Sequence, residues 1–403
     1  MKFAHLADSH LGGWREPKLK EANAKAFTKT INICIQENVD FVLISGDLFN
    51  SAVPAIESLQ HAVHELMKLK KTNIPVYAIP GSHDFSPSGK TMLDVLESAH
   101  LLLNVVRGTV IDEKLHLQFT TDTKTGVKIT GMLGKKGGLE KHYYAGLHTQ
   151  HLEAEPGYKI FMFHSAIEEL KPKGMEQMEG MAGSLLPKGF NYYAGGHVHV
   201  TNHAELQDRH NIVYPGPVFP NNFAELEKLK TGTFCIVENE SIRQVPIEEN
   251  PLTSIQISAD HKEPAQVEEE VFTALKKITQ QNTIITIRVQ GLLAKGKPTD
   301  INWQRIQQSA FECGAYIMLK NTSQLISPEM IEVKVPNKSI EEIEEAIITE
   351  NPCKTILKST NEDKILAKEL MQSMQQEKNE GERTADFEGR IISLADAVTE
   401  ENN

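Results

Sequence analysis

Five short apolar runs, rich in β-branched or aromatic residues, read as buried strands: Phe3 to Ala7, Phe41 to Ser45, Val76 to Pro80, Ile160 to Phe163 and Tyr192 to Ala194. Each leads directly into a polar segment: Asp8-Ser9-His10, Gly46-Asp47, Gly81-Ser82-His83-Asp84, His164 and Gly195-Gly196-His197-Val198-His199. Between the runs, apolar residues recur at helical spacing. Ile56, Leu59, Val63, Leu66 and Met67 mark a helix over Ala55 to Leu69, and Met92, Leu93, Val95, Leu96 and Leu102 mark one over Thr91 to Leu103. This alternation extends from residue 1 to about 247 and predicts one α/β (α+β) domain that carries all five polar segments.

Pro246, Asn250 and Pro251 punctuate a boundary, and residues 253–336 then read as a small α/β domain. Its predicted elements are helices over Gln266 to Thr279 and Trp303 to Cys313, and strands over Thr283 to Val289 and Ala315 to Leu319. It holds no cluster of metal-ligand candidates. Residues 339–403 are charged and helical, with possible capping boxes at Ser339-x-x-Glu342 and Thr360-x-x-Asp363. Leu366, Leu370 and Met374 form one narrow apolar stripe; Phe387, Ile391 and Ala395, extended by Leu394 and Val398, form another, with a polar break over Gln375 to Thr384 between them. A helix-loop-helix with so little core of its own favours a protein partner.

The net charge of −12 is mostly a property of this tail, where 16 acidic and 7 basic residues fall between Ser339 and Asn403. The body is near neutral. Basic clusters at Arg15, Lys18, Lys20 and Lys25, or at Lys135 and Lys136, are therefore candidates to track a phosphate backbone. Four widely spaced cysteines without a CxxC pair argue against a disulfide framework and against a thiolate zinc site. With no signal leader and no apolar run of spanning length, the expected setting is cytoplasmic, nucleoid-associated in a prokaryote, with no membrane.

The chemistry lies in the five polar segments. Loops held by a rigid sheet bring side chains from distant parts of the chain to one point. In Asp8-x-His10 and His197-x-His199, extended backbone would aim both side chains of a pair the same way. Imidazole and carboxylate without thiolate suit manganese, iron or zinc, with manganese preferred. Two such ions, roughly 3.5 to 4 Å apart, clamp a phosphodiester and activate a water, so the pattern points to hydrolysis at phosphorus. Asp8, His10 and His199 are assigned to one ion, His164 and His197 to the other, and Asp47 to the bridge. Asp84 is expected to orient His83 or a ligand histidine. His83 is cast as a non-ligand that stabilises charge on the leaving oxygen. The other eleven histidines, His142, His148 and His151 among them, are read as surface or satisfied residues.

The order DSH, GDLF, GSHD, FHS and GGHVH, together with Leu186 to Ala194, Lys90 to Val105 and Tyr214-Pro215-Gly216, resembles the Mre-eleven/SbcD family of calcineurin-like phosphoesterases, the nuclease subunits of double-strand-break repair complexes. That resemblance implies a β-sandwich flanked by helices, with 1–247 as the nuclease domain and 253–336 as a capping domain. It implies two Mn2+ ions per subunit and 3′-5′ exonuclease and endonuclease activity on DNA. It also implies a homodimer through the helices after the second and third motifs, and C-terminal helices over 339–403 that bind a Rad-fifty/SbcC-type coiled-coil ATPase. The compact chain with this tail looks archaeal.

Two departures fall on the chemistry. Where the family has an Asn that ligates the second metal, this chain has Ser82, a shorter and weaker ligand. Where GDLF is usually followed by a His, it has Asn50, which takes no proton. They support an alternative, a catalytically weakened architectural subunit that binds DNA ends. A small-molecule phosphatase or cyclic-nucleotide phosphodiesterase would share every ligand, but leaves the C-terminal helices without a role.

Overall fold

The computed structural model describes residues 1–86, 89–175 and 177–328, and in the C-terminal segment residues 366, 368–371, 374–376, 378–379 and 384–401. Two compact units result, Met1–Ser327 and Pro328–Asn403.

In the first unit, alternation along the strands builds a sandwich. Phe3, Phe41 and Leu43 face an inner core with Ile160, Met162 and Tyr192, whereas Ala4, Val42 and Ile44 face outward onto helices. Period two thus splits each strand between two cores. One six-stranded sheet runs Ser241–Ile247, Gly232–Glu238, Lys2–Leu6, Phe41–Ser45, Val76–Ile79 and Leu103–Asn104. The other runs Thr201–Leu206, Arg209–Pro215, Tyr192–Gly196, Lys159–His164, Lys128–Gly131 and Thr120–Thr121. Helices Pro17–Gln36 and Ile56–Lys71 cover the outer face of the first sheet. Phe161, Phe163 and Tyr193 anchor the outer core of the second.

The strands leading to the five polar segments pair in parallel within their sheets: Lys2–Leu6 with Phe41–Ser45, that strand with Val76–Ile79, and Lys159–His164 with Tyr192–Gly196. Their carboxyl ends therefore lie along one edge of each sheet, where open α/β sheets present their binding crevices.

Residues 252–326 form a third layer, a parallel sheet in the order Leu252–Ser258, Thr283–Leu292, Ala315–Ile326, with helices Pro264–Leu275 and Trp303–Glu312 packed on it. Its core of Ile257, Val267, Val271, Ile287 and Ile306 is separate. Lys18, expected to be available to phosphates, instead donates to the Tyr316 carbonyl at 2.8 Å and lies over the Phe311 and Tyr316 rings. Lys25 pairs with Glu21.

One helix is shorter than its apolar spacing predicts. The segment from Thr91 leaves helical geometry after Ser98, His100 takes a left-handed φ of +57°, and Leu103 joins the sheet edge opposite Tyr77. Burial of Leu102 and the edge pairing of Leu103 override helical spacing here. In the second unit Thr384–Glu401 is helical, with Phe387, Ile391, Leu394 and Ala395 half-buried. The capping boxes at Ser339 and Thr360, the boundary near Pro336 and parts of the polar break lie outside the described residues. No described helix is long and apolar enough to cross a membrane.

Candidate metal centre

The Asp8-x-His10 segment is not extended. Asp8 and His10 have φ of +52° and +42°, and Asp47 and His197 have +51° and +88°. The period-two aim expected of both Asp-x-His and His-x-His is therefore replaced by tight turns at the strand ends. Left-handed backbone costs a non-glycine residue roughly 1–2 kcal/mol, and it clusters where function over-determines the geometry. Backbone hydrogen bonds hold it: Asp8 donates to the Gly46 carbonyl at 3.1 Å, His10 to Asp47 at 2.9 Å and Leu11 to Leu48 at 3.0 Å. Asn23, buried on the first helix, donates to the Ser9 carbonyl at 2.9 Å. Two glycines are needed by close approach: a Cβ on Gly196 would collide with the Ser45 carbonyl oxygen, and one on Gly46 with the His164 ring.

Loops from both sheets meet around two buried carboxylates. His164 Nε2 lies 3.1 Å from Asp47 Oδ2 and 4.0 Å from Asp8 Oδ1. His10 Nε2 lies 3.7 Å from Asp47 Oδ2, His199 Nε2 3.8 Å from Asp8 Oδ1, and these two nitrogens face each other at 3.0 Å. Three groups have potential ligand atoms within 4.8 Å of one another: Asp8, His10 and His199; Asp8, Asp47 and His164; and His10, Asp47 and His83. Asp8 is thus shared as much as Asp47. The His197 ring packs against that of His164 at 5.2 Å, and its backbone N–H donates to the Asp8 carboxylate. Ser82 donates to Asp47 Oδ2 at 3.5 Å, and the His83 backbone N–H donates to Asp47 Oδ1 at 2.8 Å.

Asp84 does something other than orient a ring. Its carboxylate accepts the backbone N–H groups of Leu48, Phe49 and Gly81 at 3.2, 3.0 and 3.0 Å. It ties the loop carrying Asp47 to the loop carrying His83, because a buried carboxylate between two turns satisfies their amides first.

Charge accounts for the rest of the geometry. Burial opposes ionisation of Asp47, yet His164 and His10 outweigh it and hold the carboxyl below its usual range. Burial also opposes the charged form of His164, but Asp47 and Asp8 raise it to about 10. Burial pushes His10 and His197 down to about 3 and Asp84 up to about 6. Without another cation, the paired carboxylates keep a proton on His164.

The donor set fits divalent metal. His10 Nδ1 and His164 Nε2 are buried without a hydrogen-bond partner, although burying such groups unpaired is costly. His164 donates its Nδ1–H to the Ser45 carbonyl at 2.8 Å, which orients the ring so that Nε2, the atom protonated in the absence of a metal, is the one a metal would take in place of that proton. Oxygen and imidazole donors of this kind suit manganese, iron or zinc.

Sequence reasoning missed the groups that hold the rings. Glu225, on the short helix Phe223–Leu229, accepts from His199 Nδ1 at 2.9 Å and from the Asn221 backbone N–H at 2.8 Å. No motif marks it, since it lies 26 residues beyond His199. The position of Asn50 contributes through its backbone: its carbonyl accepts from His83 Nδ1 at 2.8 Å.

This fold and centre define a class of protein, and residues 1–201 match the family of calcineurin-like phosphoesterases. The chain is 29% identical over 369 residues to the DNA double-strand break repair protein Mre11 of Archaeoglobus fulgidus, covering 85% of this chain and 79% of that one. It is 29% identical over 243 residues to the Mre11 of Methanococcus maripaludis, covering 57% and 60%, and 31% identical over 208 residues to that of Saccharolobus solfataricus, covering 49% of each. Against the latter two, the chain spans only about half to three-fifths of the relative's length. A solved Thermus thermophilus structure is similar over 61% of this chain and 98% of its own at 15% identity, with a TM-score of 0.40. The chain belongs to the Mre11 family of calcineurin-like phosphoesterases.

Proposed function

We propose that this chain is a metal-dependent DNA nuclease of double-strand-break repair, a 3′-5′ exonuclease and endonuclease that hydrolyses phosphodiesters with two manganese ions. The observation that carries the reading is the convergence of Asp8, His10, Asp47, His83, His164 and His199, from loops of two sheets, around one buried pair of carboxylates. Paired divalent ions supply an activated water and stabilise the attacking and leaving oxygens. Asp8, His10 and His199 would hold one ion, His164 and His197 with Ser82 the other, and Asp47 would be shared between them. His83 is assigned the leaving oxygen. The Asn50 carbonyl fixes its Nδ1–H, so Nε2 is the atom left to carry a proton to the substrate.

The names of the relatives and the C-terminal helix support the wider reading. In it the protein is a homodimer that works in the cytoplasm, at the nucleoid, with a Rad-fifty/SbcC-type ATPase held by the segment 339–403. A second reading, an architectural subunit that binds DNA ends without cutting, draws on Ser82, whose hydroxyl already faces Asp47. Cleavage of end-labelled single- and double-stranded DNA across a manganese titration, with His83→Ala alongside, separates them. Activity lost in the variant is expected; no cleavage by the wild-type protein at saturating manganese, alone and with the ATPase, transfers the conclusion to the architectural role.

A further inference from the structure

Three histidines away from this centre stand together. His116, His148 and His151 each place a ring nitrogen within 4.8 Å of those of the other two, and all three are half-buried. Backbone contacts bring them there. His116 lies on strand Lys114–Leu117, held in a hairpin by pairing of Thr109 with His116. The Leu115 N–H donates to the Gly146 carbonyl at 2.8 Å and the His148 N–H to the Leu115 carbonyl at 2.9 Å, so the segment around Leu147 runs beside that strand. Helix Gln150–Ala154 follows and sets His151 three residues beyond His148, facing the same strand.

The tautomer is set as it is at metal sites. His151 Nε2–H donates to the Leu117 carbonyl at 2.8 Å, which leaves Nδ1 as a lone pair. That lone pair faces His148 Nδ1 at 2.9 Å. Two imidazole nitrogens bound to one tetrahedral zinc at about 2.0–2.1 Å are separated by roughly 3.3 Å, so this pair already has the span of a chelate. His116 stacks on both rings, with centroids at 4.2 Å from His148 and 5.3 Å from His151.

We propose that His116, His148 and His151 form a second metal site, a three-imidazole site for zinc that staples the hairpin to the helix. Binding moves the His148 ring proton from Nδ1 to Nε2 by exchange with solvent, which frees the Nδ1 lone pair with the ring still neutral, and turns His116 out of the stack until its nitrogen closes the third position, with water as the fourth ligand. Nitrogen-only donors separate this site chemically from the oxygen-rich centre and favour zinc over manganese.

The test is equilibrium dialysis of the full chain against Zn2+ alone, counting bound zinc in the wild type, in His148→Ala/His151→Ala and in His116→Asn. One equivalent fewer is expected in both variants, with manganese-dependent phosphodiester hydrolysis unchanged. The same zinc count as wild type in a folded variant overturns the site. So does loss of zinc accompanied by loss of hydrolysis in His116→Asn with its circular dichroism intact, since the zinc counted would then belong to the catalytic centre. If the double variant fails to fold, the single substitution decides.

Discussion

The strand-end loops of the sandwich and the layer at 252–326 are built from the same parallel α/β units, yet they use them in opposite ways. At the strand ends, Asp8, His10, Asp47 and His164 are buried, charged or unpaired, and three of the four sit in left-handed backbone. In the other layer the equivalent interior is Ile255, Ile257, Val267, Ile287 and Val289. One region sacrifices stability to hold a cluster of buried donors; the other supplies apolar burial and a rigid neighbour. The two are joined through helix Phe223–Leu229: Glu225 holds His199, while Glu227 on the same helix pairs with Arg288 of the third layer at 2.6 Å. The layer without ligands therefore braces a ligand.

The sharpest way to test the contrast is His83→Ala, which should lower the cleavage rate by about 10²–10⁴ with bound metal unchanged. Loss of metal would recast His83 as a ligand, a role its position beside His10 and Asp47 permits. The opposite perturbation is Ile287→Ala. It should lower the free energy of unfolding by about 2–5 kcal/mol in urea titration while leaving manganese stoichiometry intact; a changed stoichiometry would mean the layers are not separable.

Glu225→Ala should weaken manganese binding by about 10–100-fold, measured calorimetrically, because His199 loses the acceptor that orients it. An unchanged affinity would show that packing alone positions the ring. The metal-free protein should also be pH-sensitive. His164 is raised from 6.5 to about 10 in the folded state, so its stabilisation is complete below pH 6.5 and fades as pH climbs through about 10. The melting temperature should fall across that window and stop falling when manganese is present; a flat profile without metal would remove the proton from His164. The smallest effect expected is from Ser82→Asn, a modest tightening of the second ion visible in a metal titration, and no change would leave Ser82 adequate as it stands.

The five strands that lead into the polar segments were legible to within two residues at each end because each is a short apolar run buried on both faces; the strand Ala315–Ile326, half-exposed along much of its length, runs seven residues past its predicted end. Helix Pro17–Gln36 was not legible in the sequence. Its buried face includes Ala22, Asn23, Ala26 and Thr30, small or polar residues that blur an apolar stripe. The segment from Thr91 read as longer than it is, because burial of Leu102 imitates helical periodicity while the chain is already turning into the sheet edge.

That carboxylate and imidazole candidates stand just beyond strands was determined by sequence alone, since strand burial and the residue types that chemistry at phosphorus needs both leave local patterns. Which nitrogen of His164 faces inward, why Asp84 serves two loops, and that Glu225 holds His199 were decided only by the fold. Those choices depend on partners such as the Ser45 carbonyl, 119 residues from His164. Hydrogen bonds of that range leave no spacing in the chain, because loops of any length can close them once the two sheets have packed.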